Sequence, residues 1–363
     1  MDIRKIEPAF YIYRPAEDGK FYSYKNGELL KPILALTIGD FNGVGPELAL
    51  KAAVHPSVKK VSSPLLVGPL SVFEHCAKQF KIPLNLERAT LASLQRPSPR
   101  ITPVVDVGDG IGADIHYGIP TKASGRSAGI AVERAVELCL QQKASAMVTA
   151  PVSKEALNLA GYNFPGQTEM IALLTRSQRV AMMLISDTMR VGLVTIHTGL
   201  KNVAAQISKE KIMEKISIID ESLKRDFRLK SPTLAVLALN PHSGENGLIG
   251  MEENEIISPA IAESQASGIL AEGPFPADSF FGTHRYKKFD AILAMYHDQG
   301  LIPLKLNSFG KGVNFSSGLS VVRTSPDHGT AYDIAGRNKA QLSSMLEAIT
   351  LAVMISKNRR KND

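Results

Sequence analysis

Short apolar runs with strand character recur along this chain, each followed by apolar residues repeating at helical spacing. That alternation constrains the fold more than any other feature, because it is the pattern of α/β proteins, in which helices cover a mostly parallel sheet. ILALTIG (33–39) reads as a first strand, with helical spacing from Glu47 towards Val54, and SPLLVG (63–68) as a second. Residues 92–121, rich in Pro, Gly and Asp, read as loops around a short ITPVVDV strand. A helix is expected from Ser127, written by Ala128, Val132, Ala135 or Val136, and Cys139. SAMVTA (145–150) is a strand, and SKEALNLAG a short helix with Ser153 as its cap and Gly161 as its stop. RVAMMLI and RVGLVTI are strands separated by Ser186–Met189. Ile212, Ile216, Ile219 and Leu223 mark one face of a helix that Ser208 can cap. TLAVLAL, a helix near 253–268, and DAILAMY follow, and the last helix carries Met345, Ile349, Leu351, Ala352 and Ile355.

The 363 residues suffice for one large or two medium α/β domains. Hydrophobic residues at 44% and charged residues at 21% are ordinary for a globular chain, and no apolar run approaches the ~18 residues that span a bilayer. The N-terminal segment lacks a signal-peptide pattern, and Cys76 and Cys139 make no disulfide framework; both features fit a cytoplasmic protein. The net charge is +7, yet the only dense basic run is Lys357–Lys361, which reads as a solvated tail rather than a nucleic-acid surface. A modest positive field suits an anionic substrate and cofactor instead. The first 31 residues precede the first strand and read as an appended arm.

Three of the 8 histidines follow apolar strands closely: VGLVTI-His197, LAVLALNP-His242 and AILAMY-His297. In open α/β sheets, ligands sit beyond the carboxyl ends of the strands, so three imidazoles delivered there can converge. Three protein ligands with positions left open are the arrangement expected of a catalytic divalent metal. A lone histidine in such a loop is usually just hydrogen-bonded; the repetition carries the argument. Asp298, Gln299, Asn240, Glu245 and Asp278 lie nearby as possible orienting groups or bases, with turn and cap roles equally open to each. A second cluster, Lys305, Lys311, Asn314 and Arg323, lies in apolar, glycine-punctuated sequence suited to a phosphate or carboxylate.

TAPVSKEALNLAGYNFPGQTE (149–169), NPHSGENGLIG (240–250), GPFPADS (273–279), AMYHDQGLIPLKL (294–306) and GKGVNFSSGLSVVRTSPDHGTAYDIAG (310–336) resemble, in order and spacing, the 4-hydroxythreonine-4-phosphate dehydrogenase family. The resemblance runs from about Ile33 to Ile355. It implies a homodimer of two-domain α/β/α subunits with a central cleft, related in fold to isocitrate and isopropylmalate dehydrogenases, and active sites shared across the dimer. The domains it suggests are 32–145 with 325–363, and 146–324.

By the same resemblance, His197, His242 and His297 hold one divalent metal (Zn, Mg, Co or Mn). Gln167, Thr168, Lys305, Asn314 and Arg323 contact the substrate. His328, Gly329, Thr330, Ala331, Asp333 and Gly336 hold NAD or NADP, and Asp278 and Asp298 are candidate bases. IGDFNGVGPE (38–47) occupies the first βα turn in place of a GxGxxG fingerprint. The implied reaction oxidises 4-phosphooxy-L-threonine on the way to pyridoxal phosphate. One departure matters: the family's usual FPGHTE reads FPGQTE here, with Gln167 in the histidine's place. Glutamine can donate a hydrogen bond but cannot become cationic. That keeps open dehydrogenases of phosphothreonate or phosphoerythronate, beside a non-catalytic binding protein or a phosphate acyltransferase of related fold.

Overall fold

The computed structural model describes residues 31–90, 100–108 and 114–360, together with two small strand pairings within 14–29 (Arg14–Pro15 with Phe21–Tyr22, Tyr24–Lys25 with Glu28–Leu29). The N-terminal arm, and residues 91–99 and 109–113 of the loop-rich segment, otherwise lie outside the described residues.

Twelve strands join in one sheet. In chain order they are β1 (Ile33–Thr37), β2 (Ser63–Gly68), β3 (Leu86–Arg88), β4 (Thr102–Asp106), β5 (Ala146–Thr149) and β6 (Ala181–Ile185). Then come β7 (Arg190–Leu193), β8 (Thr233–Leu237), β9 (Leu270–Phe275), β10 (Ala291–Ala294), β11 (Val313–Ser317) and β12 (Arg323–Pro326). Their spatial order is β9-β8-β10-β7-β6-β11-β12-β5-β1-β2-β4-β3. The β9-β8-β10-β7 block is parallel, and so is the β12-β5-β1-β2-β4-β3 block. Between them, β6 and β11 each run antiparallel to both neighbours, so the two blocks point in opposite directions.

Each block contains a reversal of strand order. From β1 the chain passes to β2 through the helix Gly45–Val54; from β4 it returns to β5, on the other side of β1, through the helix Lys122–Leu140. Right-handed crossovers in opposite directions put these helices on opposite faces, leaving a crevice beyond the carboxyl ends of β1 and β5. In the other block the chain moves outward from β7 to β8 and β9, then doubles back to β10. His197, His242 and His297 follow β7, β8 and β10, three neighbouring parallel strands.

Leu34, Ala35 and Leu36 of β1, and Leu234–Leu237 of β8, are buried without alternation, as expected of strands covered on both faces. The edge strand β9, LAEGPF, escapes sequence reading because an edge tolerates Gly-Pro and exposed side chains. The long helix starts at Lys122 rather than Ser127. Thr121 and Ser124 form a capping box, and the helical positions 125 and 129 need glycine because Ala156 and the Tyr162 ring fill the space a Cβ would take. Ser153 and Ser208 cap their helices and Gly161 ends one at φ +92°, as expected. Cys76 is fully buried, and burial pushes the Cys139 thiol up to about 12. Among the described residues no helix is long and apolar enough to cross a membrane.

Residues 357–360 of the basic run are not the free tail they resemble; Lys361 lies outside the described residues. The helix Ser343–Arg360 carries Arg359 onto the buried Asp226 carboxylate (2.7 and 3.2 Å), which also accepts from Arg225 and Ser222, while Asn358 caps the Asp226 carbonyl. Burial pushes Asp226 up, but hydrogen bonds and charge from Arg225 and Arg359 outweigh it and leave the carboxyl below its ordinary value. A depressed carboxyl contributes stability above its unfolded pKa, about 3.9, and loses it as pH falls through the folded value. Asp226→Ala should cost about 3–5 kcal/mol at neutral pH, read by denaturant unfolding, because it removes the carboxylate from the largely buried Arg359. The difference from the parent should shrink below about pH 4.

Candidate active site

At the carboxyl end of β1, Asp40 is fully buried; its carboxylate accepts from the Asn42 amide (2.9 Å) and the Tyr332 hydroxyl (2.8 Å). Burial pushes Asp40 up against these hydrogen bonds, and burial with the nearby Asp40 charge pushes Tyr332 up as well. The Val44 amide donates to the Thr330 carbonyl (2.9 Å), and Ala340 donates to Glu47. The first βα turn and the 328–336 loop are therefore one assembly. Gly43 is required within it: a Cβ there would stand 2.7 Å from the Thr330 oxygen. Ala331 and Gly336 have positive φ, His328 is exposed with Nδ1 3.0 Å from the Gly329 carbonyl, and Gly329 faces open space. Asp333 lies in a one-turn 3₁₀ helix, Tyr332–Ile334.

Arg323 opens β12 and is 3% exposed. Its Nε and Nη2 donate to Thr149 Oγ1 (3.0 and 2.8 Å), Nη1 to Ser316 Oγ (3.1 Å), and Nη2 to Gln167 Oε1 (2.7 Å). Every partner is neutral. Burial lowers Arg323 to about 10, so it remains charged at neutral pH. Thr168 Oγ1 lies 3.3 Å from Ser316 Oγ, and Gln167 Nε2 donates to the Ala150 carbonyl. The Asn314 Oδ1 is buried without a partner. Lys305 is half exposed, 3.7 Å from Asp327, whose carboxyl burial pushes up while Lys305, His328 and His297 pull it down.

The His197 and His297 rings stand 6.0 Å apart between centroids. Burial lowers the His197 pKa, helped by the Lys154 and His297 charges and opposed by Glu169. The field of Glu169 also reaches Arg323, so the histidines and the buried guanidinium share one neighbourhood. His297 Nδ1 lies 2.7 Å from Asp298 Oδ1, an orienting contact that leaves Nε2 free.

His242 sits in an unusual turn: His242, Ser243, Gly244, Glu245 and Asn246 all have φ between +46° and +78°. Left-handed backbone costs a non-glycine residue roughly 1–2 kcal/mol. Buried Glu253 braces the turn, accepting from the Leu239 and Asn240 amides (both 2.8 Å) and from the Asn240 side chain, and lying against Gly244. Asn240 thus turns to Glu252 and Glu253 as a brace for the turn. Asp278 is exposed in the first turn of the helix Ala277–Gly282. Among the described residues, no three His, Cys, Asp or Glu groups of one chain converge as a metal site.

Sequence reading passed over Asp40, Tyr332, Thr149, Ser316 and Glu253. The first four lie within the motifs at 38–47, 149–169 and 310–336, where the residue types carry the signal; Glu253 lies in none.

The chain matches the family described as "Pyridoxal phosphate biosynthetic protein PdxA" over residues 60–352. It is 43% identical over 327 residues to the 4-hydroxythreonine-4-phosphate dehydrogenase of Geobacter metallireducens, covering 90% of this chain and 96% of that one. It is 38% identical over 329 residues to an Oceanobacillus iheyensis protein provisionally named D-threonate 4-phosphate dehydrogenase, covering 90% and 98%. The crystal structure of the Klebsiella pneumoniae 4-hydroxythreonine-4-phosphate dehydrogenase superposes with a TM-score of 0.80 at 35% identity, over 90% of this chain and 98% of that one. The chain is a member of the PdxA family of pyridoxal phosphate biosynthetic proteins.

Proposed function

We propose that this dehydrogenase oxidises the C3 hydroxyl of 4-phosphooxy-L-threonine with NAD or NADP. The product, 2-amino-3-oxo-4-phosphooxybutanoate, then loses CO2 to give 3-amino-2-oxopropyl phosphate. The observation that carries the reading is the buried Arg323, which has only neutral hydrogen-bond partners among the described residues and shares the field of Glu169 with His197, in a chain 43% identical to a protein named for that activity. A cation so placed favours an oxyanion of the substrate.

The donor chemistry fits a divalent ion. His197 is held toward its neutral form, His297 is oriented by Asp298, and the ring separation suits an ion bonded at ~2 Å to each. His242 is the third proposed ligand, and donors from two copies of the chain would complete the set. Exposed Leu200, Leu248, Ile302, Leu306 and Phe309, on or beside the histidine-bearing segments, support a homodimer with shared sites. When bound, a divalent ion would supply Lewis acidity toward the substrate hydroxyl, and the nicotinamide would supply the hydride acceptor.

The chain's own residues bind and orient. Arg323, Lys305 and Asn314 hold the anionic substrate, with Gln167 and Thr168 at its edge. The 328–336 loop (His328, Gly329, Thr330, Ala331, Asp333, Gly336) holds the cofactor against the first βα turn. Asp278 or Asp298 takes the hydroxyl proton; the contact to His297 favours an orienting role for Asp298. We assign 32–145 with 325–363 to one α/β unit and 146–324 to the other. Gln167 and the Oceanobacillus relative support a second reading, oxidation of D-threonate 4-phosphate.

Steady-state assays with 4-phosphooxy-L-threonine, D-threonate 4-phosphate and phosphoerythronate, each with NAD and NADP, test the substrate. The first should give the highest kcat/KM by at least tenfold; a preference for either of the others replaces the reading. His197→Ala, His242→Ala and His297→Ala should each abolish turnover and lower bound metal by at least tenfold while the chain stays folded. Wild-type metal content in all three would remove the triad. Mixing His242→Ala with Arg323→Ala under subunit exchange should restore partial activity, because the two residues would serve one site from different subunits; no recovery under demonstrated exchange would place both on one chain.

A further inference from the structure

The buried arginine raises a question of charge that the proposed substrate reading leaves open: what keeps it from being neutralised by the protein itself. Arg323 has five N–H donors, four of them directed at Thr149, Ser316 and Gln167. Glu169 lies on the same helix as Gln167 and its field reaches the guanidinium, but no ion pair between Arg323 and a carboxylate forms among the described residues. Of the three neutral partners, the two hydroxyls can either donate or accept. Gln167 is different. Its carbonyl oxygen accepts from Arg323 at 2.7 Å and its amide nitrogen donates to the Ala150 carbonyl at 3.3 Å, so both ends are spoken for by the protein. The side chain is 9% exposed and cannot swing away without leaving buried groups unpaired.

We propose that Gln167 is a positioning residue for Arg323: a neutral, fixed acceptor that aims the guanidinium while leaving its full charge for a phosphate oxyanion of the substrate. This rests on the substrate reading above and assigns position 167 a role through Arg323 beyond its place at the substrate's edge. A carboxylate of similar shape at 167 would accept the same hydrogen bond but cancel the charge and repel an incoming anion. A neutral acceptor is therefore a chemical requirement of the position, which glutamine meets at every pH.

The test compares Gln167→Glu, Gln167→Met and Arg323→Lys with wild type, each first checked for folding by circular dichroism. Gln167→Glu should raise KM for 4-phosphooxy-L-threonine at least thirtyfold while kcat changes less than fivefold. Wild type should gain melting temperature with inorganic phosphate but not with acetate, and Gln167→Glu should lose that response. Gln167→Met keeps the volume and removes the acceptor, and should raise KM about tenfold, the cost of one charge-assisted hydrogen bond. Wild-type KM and an intact phosphate response in Gln167→Glu would overturn the inference; if that variant does not fold, wild-type KM in Gln167→Met would do so. A response to acetate equal to that for phosphate would overturn the phosphate assignment. Arg323→Lys separates the two levels. If it raises KM while both Gln167 variants do not, the positioning role alone fails; if it too has wild-type KM, the anion site at Arg323 fails with it.

Discussion

A charge without a counter-charge governs the middle of this sheet. Removing a cation from water costs several kcal/mol even after the protein relaxes around it. Arg323 meets that cost in part with four hydrogen bonds to neutral groups from three different segments: the end of β5, the start of the helix Gln167–Leu174, and β11. Those segments cannot shift independently without stranding a donor. The guanidinium thus ties the antiparallel centre of the sheet to one of the parallel blocks.

The opposite directions of the two blocks decide what can meet at such a centre. A sheet parallel throughout would deliver all its loops to one edge. Here β1 and β12 lie in one parallel block, so the turn after β1 and the loop after β12 join into one assembly through Asp40–Tyr332 and Val44–Thr330, while the histidines follow β7, β8 and β10 of the block that β6 and β11 set in the opposite direction.

Much of this was legible in the sequence because the central strands are buried on both faces and read as unbroken apolar runs, as β1 and β8 do. The positions of His197, His242 and His297 at strand ends could be read for the same reason. The short or exposed elements could not. β3 and β9 carry few buried side chains, the helix His297–Ser308 contains Pro303, and the start of the long helix was hidden by glycines that tertiary contacts require. Partnerships between distant residues were invisible too: nothing in a linear pattern pairs Asp226 with Arg359, or Gln167 with Arg323.

The turn that carries His242 has a consequence for how the protein could be improved or degraded by substitution. Four of its five left-handed residues are not glycine. Glycine at Ser243 or Asn246 would relieve strain in the folded chain but would also enlarge the repertoire of the unfolded one, the two effects opposing each other. Residues with a Cβ confine the turn to a narrow basin, so the direction of the imidazole is set by backbone rigidity as much as by contacts. Selection for heat resistance alone would have little reason to keep such a segment; selection for a ring held in one orientation would.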